Sequence, residues 1–255
     1  MNQPAERSKA EPLRVQAERF DSEYLEYDQR HANEIALEYR DRFYRKRLCN
    51  FELKNKKVLD AMCATGIDTP FLISRGANVC GLDISASCAA LYEKRFQLEC
   101  KVGSIHETGF DDETFDVVYV SGGLHHVSHM LAESLAEIHR ILAREGLLCF
   151  VEPNADSWTD ALRKLWYSRD DKFSDEERAL SYRNELKALM SIGFEEEDYF
   201  TGGNVAYLVF QQSNVLKTPK FVYRYLKGPV FLAERIVDAL PLGPRFFFCA
   251  RWRKA

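Results

Sequence analysis

Short apolar runs alternate along the chain with segments of helical period. The first run, Val58-Leu59, ends at Asp60, and the second, within Ala77 to Ser85, reaches Asp83. Glu99 to Ile105 holds a short third. Phe115-Asp116-Val117-Val118-Tyr119-Val120-Ser121 is a fourth, behind the acidic turn Phe110 to Thr114. Leu142 to Gly146 reads as a helix end and turn leading into a fifth run, Leu147 to Glu152. Ile192-Gly193-Phe194 opens a sixth, and Arg245 to Trp252 supplies a seventh. Ile67 to Ser74 and Ala89 to Phe96 carry helix-compatible patterns between the early runs. Apolar runs spaced by helices suit parallel strands covered on both faces, so the pattern predicts an α/β fold with a mostly parallel sheet.

Ala61-Met62-Cys63-Ala64-Thr65-Gly66 joins the first strand to the helix after it. A strand, a tight turn of small residues, a helix and a second strand ending in an acid make a nucleotide-binding βαβ unit. The turn lets backbone N–H groups and the helix N-terminus approach a ligand, and Asp83 can accept hydrogen bonds from ribose hydroxyls. Downstream, Leu124-His125-His126-Val127 follows the fourth strand, and Gly146 precedes the fifth.

This ordered set resembles the class I, Rossmann-like S-adenosylmethionine (SAM) methyltransferases, in their small-molecule, type 11-like branch. The resemblance covers roughly residues 20 to 200 and the final strand. It implies a seven-stranded, mostly parallel sheet with helices on both faces, and SAM as cofactor. The family turn reads Asp-x-Gly-x-Gly-x-Gly, whereas this chain has Met62 and Ala64 at glycine positions and keeps only Gly66. Glycine serves there because φ > 0 or close ligand approach excludes a Cβ. Met62 is therefore expected to turn its side chain away from the ligand, under the turn. Ser104 stands where the family places an Asp that accepts from the adenine amino group.

By the same resemblance, Asp83 holds the ribose and Asp60 orders the turn. Ala61, Met62, Gly66, Ile84, Ser104, Ile105 and Ser121 surround the cofactor, and Tyr27 reaches its methionine carboxylate. Sugar O-methyltransferases of natural-product biosynthesis pair the first histidine of Leu-His-His with an acid at the fifth strand tip. That match makes His125 the base and Glu152 its orienter, with His126 the alternative base. The implied reaction is methyl transfer to a hydroxyl of a small molecule, a sugar, glycan-pathway or natural-product intermediate. C-methylation of a quinone-like or lipid acceptor stays open, as does a SAM-binding pseudo-enzyme or regulator. His125, His126, His129 and Glu133 are dense enough to suggest a metal. The metal-dependent branch, however, has an Asp where this chain has Ser121, so no metal is expected. Ser121-Gly122-Gly123-Leu124 also differs from the Asn/Asp-Pro-Pro-Tyr of enzymes that methylate amino groups of nucleic-acid bases.

Three regions follow: residues 1–50 as a polar tail and helical lid, 51–201 with 245–255 as the SAM-binding core, and 202–244 as an insertion. The lid rests on the helical pattern Val15 to Leu48 with Phe20, Tyr24, Tyr27, Tyr39 and Phe43. The family joins its last two strands by a short hairpin, so the insertion is expected to form a substrate cap. Phe221, Tyr225 and Phe231 would line an apolar acceptor pocket, with Trp158 and Trp166 opposite. Lys217, Lys220, Arg224 and Lys227 interleave with these aromatics, which leaves open a peripheral contact with a membrane or lipid-linked substrate. A homodimer contact is a further reading of the same stretch.

The 255 residues suit one α/β domain with added segments. No apolar run reaches the ~20 residues of a membrane span. Met1 to Glu11 lacks an apolar signal core, and seven cysteines occur without a Cys-x-x-Cys, which points to a reducing cytoplasm. The formal net charge of −4 gives no global reason to expect a nucleic-acid partner.

Overall fold

In a computed structural model of the chain, all seven expected strands join one sheet, in the order β3-β2-β1-β4-β5-β7-β6. They are β1 (Lys57–Ala61), β2 (Asn78–Asp83), β3 (Cys100–Val102), β4 (Phe115–Ser121), β5 (Leu142–Pro153), β6 (Phe194–Gly202) and β7 (Phe247–Lys254). The structure describes residues 13–22, 24, 28, 32–161, 178–211, 220–240 and 243–255. β1 to β5 pair in parallel, while β7 runs antiparallel between β5 and β6. Strand order reverses between β1 and β4, and open α/β sheets bind ligands beyond the C-terminal strand ends at such a point.

The two faces follow from the period of two along each strand. Leu59, Ala61, Val118, Val120, Leu148, Phe150, Phe248 and Trp252 enter one core layer. Val58, Val117, Tyr119, Leu147, Cys149, Val151 and Cys249 enter the other. The first layer is covered by Leu131, Leu135, Ile138 and Ile141 of α4 (Leu131–Ile141). The second is covered by α1 (Glu34–Arg40), capped by the Asn33 side chain, and by α2 (Thr69–Ser74). α1 continues through a wider π-helical turn, Asp41–Arg45, into Lys46–Leu48. α3 (Ala86–Phe96) starts at Ser85, whose hydroxyl accepts the Cys88 N–H at 3.0 Å.

Two sequence expectations change here. The helix end and turn expected at Leu142 to Gly146 already belong to β5, with the irregularity absorbed by Glu145 at φ +58° and a register shift opposite Phe115/Val117. Of the aromatics expected around an acceptor pocket, those whose side chains are described do not line the cleft described below. The inserted helix α5 (Lys220–Asp238) packs on α1, so Phe231 is buried against Phe43 and Phe210. Tyr225 and Trp158 are exposed, Trp166 lies outside the described residues, and the side chain of Phe221 is likewise not described. Glu234 fixes this docking: fully buried, it accepts from the Asn204 N–H at 2.8 Å, the Ala206 N–H at 2.7 Å and Tyr39 Oη at 3.0 Å.

Candidate active site

An open cleft lies at the C-terminal ends of β1, β2 and β4. Its floor and walls come from Met62 and Ala64 after β1, Asp83 and Ile84 at the β2 tip, Gly103 to Ile105, and Ser121 to Gly123 after β4. His126 and Val127 close one side, and Leu13, Gln16 and Phe20 of the helical segment 13–22 contribute a third wall.

The turn after β1 keeps a glycine-like backbone without the glycines: φ is +55° at Met62, +47° at Ala64 and +79° at Gly66. Left-handed φ at a non-glycine residue costs roughly 1–2 kcal/mol. Met62 is partly buried against the core layer of Leu59 and Val120, borders the cleft and lies against Gly123. A Cβ added to Gly123 would stand 2.7 Å from Met62 Sδ and 2.9 Å from Met62 Cβ. The missing side chain at 123 thus makes room for the extra one at 62. Gly66 faces away from the cleft wall, since a Cβ there would stand 2.3 Å from Phe96 and 2.8 Å from Tyr92 of α3.

Asp83 is nearly buried and accepts from the Ala64 N–H at 2.7 Å and the Ser85 N–H at 2.9 Å. Burial raises its carboxyl above the usual range, and those two N–H groups oppose the rise. Asp60 and Ala61 are buried and do not line the cleft. Asp60 accepts from Thr69 Oγ1 at 2.6 Å, so it ties down the start of α2. Burial, reinforced by the charge of Asp68, pushes Asp60 up to about 8. Ile84, Ser104, Ile105 and Ser121 line the cleft, and Ser104 Oγ stands 2.6 Å from His106 Nδ1. Tyr27 lies outside the described residues.

Glu152, at the end of β5, is fully buried. One oxygen accepts from the N–H groups of Gly123 at 3.0 Å and Leu124 at 2.8 Å. The other accepts from the His125 N–H at 3.3 Å and lies 2.8 Å from His125 Nδ1. Glu152 therefore caps the 3-10 turn Leu124–Met130 and orients the first histidine in one set of bonds. With Nδ1–H donating to the carboxylate, Nε2 keeps the lone pair. His126, not His125, lines the cleft; the two rings lie 4.0 Å apart. His126 also meets Phe20 edge-on at 5.5 Å, and its carbonyl accepts from Gln16 Nε2 at 3.2 Å.

Sequence reasoning missed several partners. Asp21 accepts from Ser85 Oγ at 2.5 Å and the Ser87 N–H at 3.0 Å. Asp28 accepts from Thr65 Oγ1 at 2.7 Å and pairs with Arg95. Bonding to the Arg95 guanidinium is the main force holding the Asp28 carboxyl low. The repeated aromatic and acidic positions from Phe20 to Asp28 were the available signal. Asp68 is flanked by Arg45 Nε at 2.5 Å, Arg40 Nη1 at 3.1 Å and Tyr119 Oη at 3.3 Å. Burial disfavours its charge, but Arg45 and Arg40 outweigh that and hold it below the usual range.

The residues fit a nucleoside sulfonium. Asp83 offers a carboxylate to vicinal hydroxyls, Ile84 and Ile105 offer apolar flanks to a ring, and a Cβ at Gly122 would meet nothing within 4 Å. Strand order and antiparallel β7 are those of the class I, Rossmann-like methyltransferase fold, and the cleft bounded by the acid at the β2 tip lies where such sheets take their ligand, which in that fold is SAM. Residues 59–150 match the family model described as methyltransferase domain, and the chain carries such a domain.

Among relatives, a demethylmenaquinone methyltransferase of Thermotoga maritima is 34% identical over 135 residues, covering 49% of this chain and 58% of that protein. An O-antigen chain terminator bifunctional methyltransferase/kinase of Escherichia coli is 33% identical over 95 residues, covering 34% of this chain and 13% of that one. A solved SAM-dependent methyltransferase from Archaeoglobus fulgidus shares the fold, with a TM-score of 0.62 at 16% identity over 91% of this chain and 99% of that one. The chain spans little more than half the length of the Thermotoga relative.

Proposed function

We propose that this chain transfers a methyl group from SAM to a hydroxyl of a small molecule, with His125 as base and Glu152 as its orienter. The observation that carries the reading is the 2.8 Å contact between His125 Nδ1 and the buried Glu152 carboxylate beside the cleft. The bound cofactor supplies an electrophilic methyl on a sulfonium. Asp83 would accept from its ribose hydroxyls, Ile84 and Ile105 would flank the adenine, Ser104 Oγ would meet its edge, and the Ser121 backbone would face the methionine part. His125 Nε2 takes the acceptor's hydroxyl proton, and Glu152 stabilises the resulting imidazolium. Positioned general bases contribute about 10²–10⁴-fold, and alignment of acceptor with methyl supplies much of the remainder. Leu13, Gln16 and Phe20 keep water from the reacting groups.

The likeness to the O-antigen protein supports a sugar or glycan acceptor. The likeness to the demethylmenaquinone methyltransferase supports a second reading, C-methylation of a quinol-like ring. There the same base would remove a phenolic proton and leave the ring carbon nucleophilic. Incubation with methyl-labelled SAM and panels of hydroxylated sugars and hydroquinones separates the two by NMR of the new methyl group. The expected product is an O-methyl ether. Failure to bind SAM in calorimetry would refute both readings.

A further inference from the structure

α5 buries one side and leaves another apolar side in solvent. Tyr223, Phe231 and Glu234 point inward. Tyr225, Pro229, Leu232, Ile236 and then Leu240 follow on the outer side at steps of four, three, four and four, all exposed. Tyr225 is 77% exposed, Leu232 59% and Ile236 55%. At about 1.5 Å per residue, the stripe from Tyr225 to Leu240 runs some 22 Å.

The charges of the helix are sorted as well. Its two acids are both engaged internally: Glu234 with the Asn204 and Ala206 N–H groups, and Asp238 with Asn204 Nδ2 at 2.6 Å. Its sequence also holds four basic residues, Lys220, Arg224, Lys227 and Arg235. Arg235 is exposed beside the stripe, and Lys227 pairs with Glu38 of α1. An apolar stripe with an exposed arginine at its edge, on a helix of four basic residues against two acids, is what an interfacial helix presents to anionic headgroups. A two-fold contact through the same stripe would set these cationic helices against one another. Among the described residues no helix is long and apolar enough to cross a membrane, so such a helix lies on the surface.

We infer that the outer face of α5 seats the protein on an anionic lipid surface. The inference uses no part of the methyl-transfer reading. It is tested by flotation with vesicles of phosphatidylcholine alone and of phosphatidylcholine with phosphatidylglycerol. The wild-type chain floats with the anionic vesicles and much less with the neutral ones, and added salt weakens the binding. Leu232→Asp with Ile236→Asp lowers partition at least about tenfold, while melting temperature and SAM affinity stay at wild-type values because both side chains face solvent. Arg235→Glu weakens binding to anionic vesicles only. No flotation of the wild-type chain overturns the inference. Equal flotation of the double-Asp variant overturns it too. So does a dimer, seen by sedimentation in place of flotation, that the double-Asp variant disperses.

Discussion

Gly123→Ala tests the compensation that lets this domain carry methionine in its cofactor turn. Gly123 has φ −112°, open to any residue, so the substitution adds no backbone strain. The penalty comes from contact: the new Cβ would stand 2.7 Å from Met62 Sδ, 2.9 Å from Met62 Cβ and 3.0 Å from Val120 Cγ1. The sulfur can rotate away, but Met62 Cβ is fixed to a backbone already at φ +55°. Overpacking of this kind costs about 1–3 kcal/mol. The shift also pulls on the Gly123 N–H held by Glu152 at 3.0 Å, so SAM affinity and turnover fall together. Met62→Gly removes the opposing atoms and the left-handed strain at once. The double variant therefore binds SAM better than Gly123→Ala alone, with a coupling of at least ~1 kcal/mol in a double-mutant cycle. Calorimetric SAM affinities and chemical denaturation of the four proteins supply the cycle. Additivity within ~0.5 kcal/mol, or wild-type affinity in Gly123→Ala, would refute the compensation.

His125→Ala is expected to slow methyl transfer about 100-fold or more with SAM affinity largely unchanged, and Glu152→Gln to slow it less, as read in single-turnover assays. Equal turnover of His125→Ala would point to catalysis by alignment. Asp83→Ala should weaken SAM binding by ~1.5–3 kcal/mol in calorimetry; undiminished affinity would remove Asp83 from the cofactor site. Asp60 titrates near 8 in the fold against 3.8 as a free side chain, so its neutral form favours folding. That stability is full below pH 3.8 and is lost as pH rises to about 8, by at most ~1.4 kcal/mol per pH unit. Asp60→Asn stays neutral and should flatten the denaturation-midpoint profile across that window.

The strands were legible because their apolar runs are bounded by acids, glycines and turns; β4 spans Phe115–Ser121 as read. The contact between His125 and Glu152 was legible only through the order of strands that the resemblance supplied, because no local spacing joins them. The room for Met62 was hidden for a related reason. Its position looked intolerable beside a ligand, and the room for it comes from Gly123, a neighbour in space but not in sequence. Phe231 was assigned to the acceptor pocket because the insertion mixes aromatic, aliphatic and basic residues with Pro and Gly breaks, as a cap would. Periodicity alone does not say which side meets α1. The π-helical turn Asp41–Arg45, which carries Arg45 inward to Asp68, has no sequence signal of its own.

The last of the seven strands to leave the ribosome is not an edge strand. β7 lies between β5 and β6, with Arg253 opposite Leu147 and Lys254 opposite Phe194. Until β7 arrives, β5 presents an unpaired row of backbone groups along Leu147 to Pro153, and β6 has no partner in the sheet. Trp252, fully buried between Phe150 and Phe194, is also missing from the core until then. Closure across so long a loop is slow, and an open apolar strand invites pairing with other chains. The nascent chain thus spends its most aggregation-prone interval with the cofactor-binding half already made, and the whole insertion 202–244 must be synthesised before that interval ends.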